Sequence, residues 1–341
     1  MTDREFSIAG NSPTEASPLI FRGIEGEQDY PLLLAINLSS RQADGDPESI
    51  SLEQIAEAFT SSEELDPARH VLIACLADEP GTAVGYSRLG WYSSRADTRL
   101  YYQYSRLRGE YRCRGLWEGL VYQTEQRIRE IARQHAPVAE CFFQGWASDN
   151  QRDWIKVLEN TGYQVVRRFH NMLYQLGDVP EHPLPAGFEI RPVMPEHMRL
   201  IWEAQKEMNE GLFENVVEDW LEEKYPNWLE DPSHTPQFWQ VAWAGDQIVG
   251  MVLARIDDKE NQQRQRKHGY TEHIYVRPAW RKRGLASALI ARSLQVLKEQ
   301  GILEAELGVD AENESAAFNL YKQMGYKTFS IDTWFRKPMN L

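Results

Sequence analysis

Cysteine is scarce in this sequence: three in 341 residues, at Cys75, Cys113 and Cys141. They are scattered, odd in number and form no C-x-x-C pair, so neither a disulfide framework nor a zinc site follows. Long apolar runs are missing too. No stretch approaches the ~20 residues that span a bilayer. Met1 to Pro18 is polar and carries neither the apolar centre of a signal peptide nor an anchor. Positive charge is in deficit, with 37 Lys and Arg against 51 Asp and Glu, a net charge of −14. That balance argues against bulk binding to nucleic acid or to an anionic membrane, both of which need a basic face. The expectation is a cytoplasmic protein with no metal. What is present is ordinary globular material, 42% hydrophobic and 26% charged, over a length suited to two domains.

Self-comparison divides the chain. Phe21-Arg22-Gly23-Ile24 aligns with Ile190-Arg191-Pro192-Val193, and Val84-Gly85 with Val249-Gly250. Arg112-Cys113-Arg114-Gly115-Leu116 aligns with Arg281-Lys282-Arg283-Gly284-Leu285, and Gly162-Tyr163 with Gly325-Tyr326. The four offsets lie between 163 and 169 residues and keep one order, which reads as a tandem duplication of a domain and not as a solenoid repeat. The expected layout is a polar tail over 1–17, a first copy over 18–178, a proline-bearing linker over 179–187 and a second copy over 188–341.

The second copy has an α/β pattern. Strands are expected at 188–193, 238–244, 248–256, 271–276, 305–309 and 327–335, with a turn at Gly245-Asp246. Helices are expected at 195–210, 216–229, 284–300 and 313–324. Gly301 and Gly325 end the last two.

The most informative stretch runs from Val276-Arg277-Pro278 through Arg281-Lys282-Arg283-Gly284-Leu285-Ala286, where a strand gives way to a helix. Unpaired amides and a partial positive charge at a helix N-terminus suit a phosphate. Gly284 and Ala286 limit side-chain bulk there, and three basic residues add charge. The spacing is wrong for a Walker loop, and the first glycine of the dinucleotide fingerprint is absent. Taken alone, the stretch also fits a basic turn before a helix that merely tolerates Gly284.

A second motif follows, Asn313-Glu314-Ser315-Ala316-Ala317-Phe318-Asn319-Leu320-Tyr321 and then Gly325-Tyr326. Together the two motifs resemble the GNAT acyl-CoA-dependent N-acetyltransferases over residues 188–341. The resemblance implies two tandem α/β domains, each a mixed, mostly antiparallel sheet with splayed parallel central strands flanked by helices. It implies acetyl-CoA as acyl donor and no metal. Ile274, Tyr275 and Val276 would line the pantetheine arm. The amides of Arg281, Lys282, Arg283, Gly284, Leu285, Ala286 and Ser287 would hold the pyrophosphate, with Asn313 and Ala317 near the far end. Val276 N–H would meet the thioester carbonyl, and Tyr321 falls at the general-acid position. Glu272, four residues before Val276, is the candidate base; regular alternation would place both side chains on one face and turn His273 to the other.

The first copy departs from this pattern. Trp117 stands where Ala286 does, Leu158 where Tyr321 does, and Leu107-Arg108-Gly109 replaces the Val-x-Pro strand end. It is expected to keep the fold without turnover. For the acceptor, residues 203–231 hold ten carboxylates against Lys206 and Lys224, interleaved with Trp202, Phe213, Trp220, Tyr225 and Trp228. They read either as solvated helix faces over core aromatics or as the wall of a site for a small-molecule, cationic amine. The tandem layout is also similar to that of mycothiol synthases, but no residue match assigns the acceptor. Two rival readings remain: a non-catalytic acyl-CoA sensor, which has no need of Tyr321, and an aminoacyl or peptidyl transferase, which would need a basic groove. Acyl-chain preference and oligomeric state stay open.

Overall fold

A computed structural model describes residues 18–46, 50–59, 66–95, 97–210, 220–311 and 314–340. The expected tail over 1–17 lies outside them, as do 211–219 and Asn313. In chain order the elements are β1 (Leu19–Gly23), α1 (Tyr30–Ala43), α2 (Leu52–Phe59), α3 (Pro67–His70), β2 (Val71–Leu76), β3 (Ala83–Arg95) and β4 (Thr98–Leu107). Next come α4 (Leu116–Ala132), β5 (Glu140–Ser148), α5 (Arg152–Asn160), β6 (Gln164–Gln175), β7 (Glu189–Ile190), α6 (Met198–Glu210) and α7 (Tyr225–Leu229). The chain closes with β8 (Gln240–Ala244), β9 (Gln247–Ile256), α8 (Asp258–Arg264), β10 (His268–Val276), α9 (Leu285–Glu299), β11 (Glu304–Asp310), α10 (Asn319–Met324) and β12 (Lys327–Pro338).

Two compact units result. The first takes the described residues up to Ala43, Ile50–Arg88 and Ser105–Arg127; the second takes the rest. In the first, β1 and the start of β3 flank β2, both antiparallel. In the second, the strand order is β4-β5-β12-β6-β11-β10-β9-β8-β7, with only β4–β5 and β10–β11 parallel. This is the mixed, mostly antiparallel sheet with parallel central pairs that the sequence led us to expect.

Several elements differ from the sequence reading, each for a local reason. The expected helix over 216–229 is described only from residue 220, and α7 begins at Tyr225 because Pro226 suits a first helical turn but cannot continue a helix. The strand over 188–193 shrinks to two residues. The helix over 313–324 is a π turn at Glu314–Phe318 followed by α10. Helix α8 was not expected, although Asp257, which accepts the Glu260 N–H at 2.8 Å, is a readable N-cap.

The second unit buries apolar side chains on both faces of its sheet. On one face α9 packs Leu285, Leu289, Leu294 and Leu297 against Val249, Val252, Ala254 and Leu307. On the other, Met198, Ile201 and Ala204 of α6 meet Val241, Trp243, Met251 and Leu253.

Strand β6, which the repeat places in the first copy, lies between two strands of the second. Gln175 through Phe169 pair with Glu304 through Asp310 of β11, and the other edge of β6 pairs with β12. β12 in turn pairs with β5, so the final strands of the two copies are exchanged. Met172, Tyr174 and Leu176 thereby enter the core around α9 and α10, each contributing roughly 1.5–3 kcal/mol by burial. Residues 188–341 produced alone would lose those side chains and leave β11 and β12 with unpaired facing edges. We expect that fragment to be unfolded or aggregated by circular dichroism and gel filtration, and to be recovered on co-expression with residues 1–187. A soluble, cooperatively melting 188–341 fragment would refute this account.

Candidate functional site

The site is built where two parallel strands part. β10 pairs with β11 from His268–Glu304 to Tyr270–Glu306, and the register ends there. β11 nevertheless runs on to Asp310, because its other edge stays paired with β6. Arg167 of β6 also anchors the end of β11, with Nε 2.6 Å from an Asp310 carboxylate oxygen. β10 runs on to Val276 along β9. The two strands therefore open a gap lined by backbone.

Val276 faces that gap. The Arg277 N–H donates across to Val249 O at 2.9 Å, so the N–H and C=O of Val276, one residue earlier, point away from β9. Its carbonyl accepts from Arg281 Nε at 2.9 Å. Its N–H points to the same side, into the gap. Val276 and Ile274 pack their side chains on the α9 core.

Beyond Val276 the chain passes twice through the left-handed region, at Lys282 (φ 61) and Gly284 (φ 82), before α9 starts. Such turns gather backbone N–H groups into a concavity that takes anions. No side chain caps α9, so the amides of Leu285, Ala286 and Ser287 have no acceptor within the helix. The backbone of Arg281–Ser287 thus presents unpaired amides in a concave turn, where the sequence led us to expect a pyrophosphate. A Cβ on Gly284 would meet only Pro185 Cγ at 3.8 Å, so conformation demands glycine here more than space does. Arg281, Lys282 and Arg283 are exposed, and Arg283 lies over the Trp280 ring at 4.9 Å.

Tyr321, on α10, is 7% exposed and lies edge-on to Tyr326 at 6.2 Å. Burial pushes its phenol up to about 12, so it holds its proton at neutral pH. Ala317 lies in the π turn and packs on the same core. Asn313 is outside the described residues.

β10 is not a regular strand. Glu272 stands opposite Leu253 and Tyr275 opposite Met251, so one extra residue is accommodated between them, and His273 takes φ 47. Leu253 and Met251 belong to the α6 face, which puts Glu272 and Tyr275 there. Val276 stands opposite Gly250 and packs toward α9. The alternation argument is thus corrected: the bulge separates Glu272 and Val276 onto opposite faces. Glu272 is held by Arg255 at 3.3 Å, and that guanidinium also covers the Tyr270 ring at 4.2 Å.

Histidine enters the α6 face in a way the sequence did not signal. His234, in the loop before β8, sits against the rings of Trp228 (4.6 Å) and Trp239 (5.2 Å). Its Nδ1 is buried without a hydrogen bond among the described residues. Burial lowers its pKa, against the opposing pull of Asp231. The pKa of His273 is also lowered, first by desolvation, with Glu272 raising it and His234 lowering it further. His273 itself is exposed.

The α6 wall is already partly paired. Arg199 lies over Trp202 (4.7 Å) and Tyr225 (4.8 Å) and bonds Glu203 and Glu222. Two of the aromatic faces read as amine-binding thus hold a cation of the chain itself. Glu207 accepts from Tyr275 Oη at 2.8 Å and pairs with Arg277 at 2.8 Å. Glu214, Glu218 and Asp219 lie outside the described residues.

In the first unit, Gly115 (φ 70) precedes α4 as Gly284 precedes α9. There the C-terminal end of α1 sits on the turn. Gly109 N–H donates to Ser39 Oγ, Arg112 donates to Ser40, and a Cβ on Gly109 would lie 2.8 Å from that of Ala43. Trp117 is buried, with Arg112 over its ring at 5.9 Å. Among the described residues no helix is long and apolar enough to cross a membrane.

Residues 199–326 match the model of the Acetyltransferase (GNAT) family. The mycothiol acetyltransferase of Streptomyces bingchenggensis is 26% identical over 281 residues, covering 79% of this chain and 81% of that protein. The mycothiol acetyltransferase of Streptomyces avermitilis is 24% identical over 307 residues, covering 89% and 90%. Among solved structures, a GCN5-related N-acetyltransferase from Sphaerobacter thermophilus superposes with a TM-score of 0.73 at 24% identity, covering 96% of this chain and 99% of that one. A tandem GNAT protein from the clavulanic acid biosynthesis pathway gives 0.62 at 14%, covering 95% and 99%. Residues 199–326 are thus similar to the Acetyltransferase (GNAT) family, and most of the chain resembles mycothiol acetyltransferases at low identity.

Proposed function

We propose that the chain is an N-acetyltransferase that moves an acetyl group from acetyl-CoA to a primary amine by direct attack in a ternary complex. Catalysis is assigned to residues 188–341, reached by the linker 179–187, and residues 18–178 serve as a GNAT-like domain without turnover of its own. The observation that carries this reading is the opening of β10 from β11, with Val276 N–H inside the gap and the Arg281–Ser287 backbone at its end. An extended pantetheine arm fits beside Ile274, Tyr275 and Val276 as an added strand would. The acetyl transfer named for the Streptomyces relatives supports the same reading.

Each group has a task. The amides of Arg281 through Ser287 hold pyrophosphate, and Arg281, Lys282 and Arg283 surround it with positive charge. Val276 N–H polarises the thioester carbonyl as an oxyanion-hole donor. Tyr321, still protonated at neutral pH, gives its proton to the departing thiolate. A base in the β10 bulge takes the amine proton, and Glu272 is the candidate that the sequence offers. Ala317 and Asn313 complete the cofactor end. The carboxylates of residues 203–231 favour a cationic small-molecule acceptor by steering.

A panel of primary amines with acetyl-CoA, read by free-thiol release, tests the activity. For an accepted amine, Tyr321→Phe should lower kcat by ~10²-fold or more while the Kd for acetyl-CoA stays within about twofold; an unchanged kcat would refute the acid role. Gly284→Ala should strain the left-handed turn by ~1–2 kcal/mol and weaken acetyl-CoA binding several-fold by calorimetry. Equal affinity in that variant would remove the turn from the binding site.

A further inference from the structure

We infer that His273, in the β10 bulge, is the group that takes the proton from the attacking amine, with Glu272 beside it as a fixed negative charge. This inference rests on the acetyl-transfer reading above and names the base within it.

The backbone is the first ground. His273 is one of three non-glycine residues with positive φ among the described residues, and it is the one that lies within a strand. That conformation costs ~1–2 kcal/mol for an L residue. It is imposed from both sides. Before it, Thr271 Oγ1 is 2.8 Å from Tyr326 Oη and Glu272 is held by Arg255; after it, Tyr275 is bonded to Glu207. Strain held in place this way clusters at functional sites, and bulges re-aim a side chain next to them.

Placement is the second ground. The bulge brings Glu272, His273 and Tyr275 toward the α6 side, where His234 and the aromatic wall stand. Two groups act on the imidazole: Glu272 from its own strand, itself paired with Arg255 of β9, and His234 from the loop before β8, which lies near Asp231. Desolvation and His234 keep the ring neutral, the form that can accept a proton, and Glu272 favours the imidazolium once it forms. Glu272 itself is engaged by the Arg255 guanidinium at 3.3 Å.

The step balances. The lone pair of a neutral amine forms the N–C bond, and the nitrogen gives one proton to His273. The C–S electron pair leaves on sulfur, which takes the Tyr321 proton. Imidazolium and phenolate then return to rest by exchanging one proton each with solvent, leaving amide and free thiol.

The experiment uses the full chain with the amine that the panel selects. Because His273 needs a left-handed residue, the variants are His273→Asn and His273→Gly, both of which tolerate that conformation. In wild type, kcat/KM should fall on the acid side with a midpoint below the ordinary histidine value of about 6.5. Both variants should lose ~10²-fold or more and the acid limb with it, while acetyl-CoA Kd and thermal melting stay close to wild type. Added imidazole should restore part of the rate to His273→Gly, which a structural role would not allow. Variants that retain wild-type kcat/KM and its acid limb would overturn the assignment of His273 and leave acetyl transfer standing. A wild type that releases no thiol with any amine would overturn both.

Discussion

A strand that parts from its neighbour gives up hydrogen bonds along one whole edge, and it stays ordered only if its other edge is secured. For β11 that security is β6, paired from Glu304 to Asp310 and reinforced by Arg167 on Asp310. The site depends on this seam. Without it the gap beside Val276 would close or the strand would fray, and neither Tyr321 nor the turn before α9 would be presented at a fixed distance. The open backbone edge beside Val276, proposed above to take an acyl carrier, is therefore maintained from the far side of β11 by β6.

Much of this was legible in the sequence because it depends on local rules. Gly245-Asp246 marks a hairpin, Gly301 and Gly325 end helices, and Gly284 marks where a strand gives way to a helix. The parallel central pairs were implied by the family resemblance and not by periodicity. The partner of β6 was not legible, because apolar periodicity says that a strand has a buried face and nothing about which copy covers it. Strand β12 has the same ambiguity, and only long-range packing of Met172 and Tyr174 resolves it.

The site divides along the same line. Arg281 through Ser287 and Tyr321 belong to contiguous motifs that can be read from the sequence alone. The bulge was not, because one extra residue in β10 is a property of pairing with β9, not of its own composition. Alternation consequently placed Glu272 and Val276 together and turned His273 away. His234 gives no signal at all in Pro232-Ser233-His234-Thr235; its meaning comes from Trp228 and Trp239.

The exchanged strands also bear on how such a chain can change. Once β6 is lodged between β11 and β12, and β12 between β5 and β6, neither copy can be deleted, shuffled or replaced as a module without unravelling its twin. A repeat that carries Leu158 in place of a tyrosine is then kept for the same reason as a permanent subunit. Its final strand is constrained by that pairing. Fusion of the two copies in one chain makes inheritance of that obligate pairing certain.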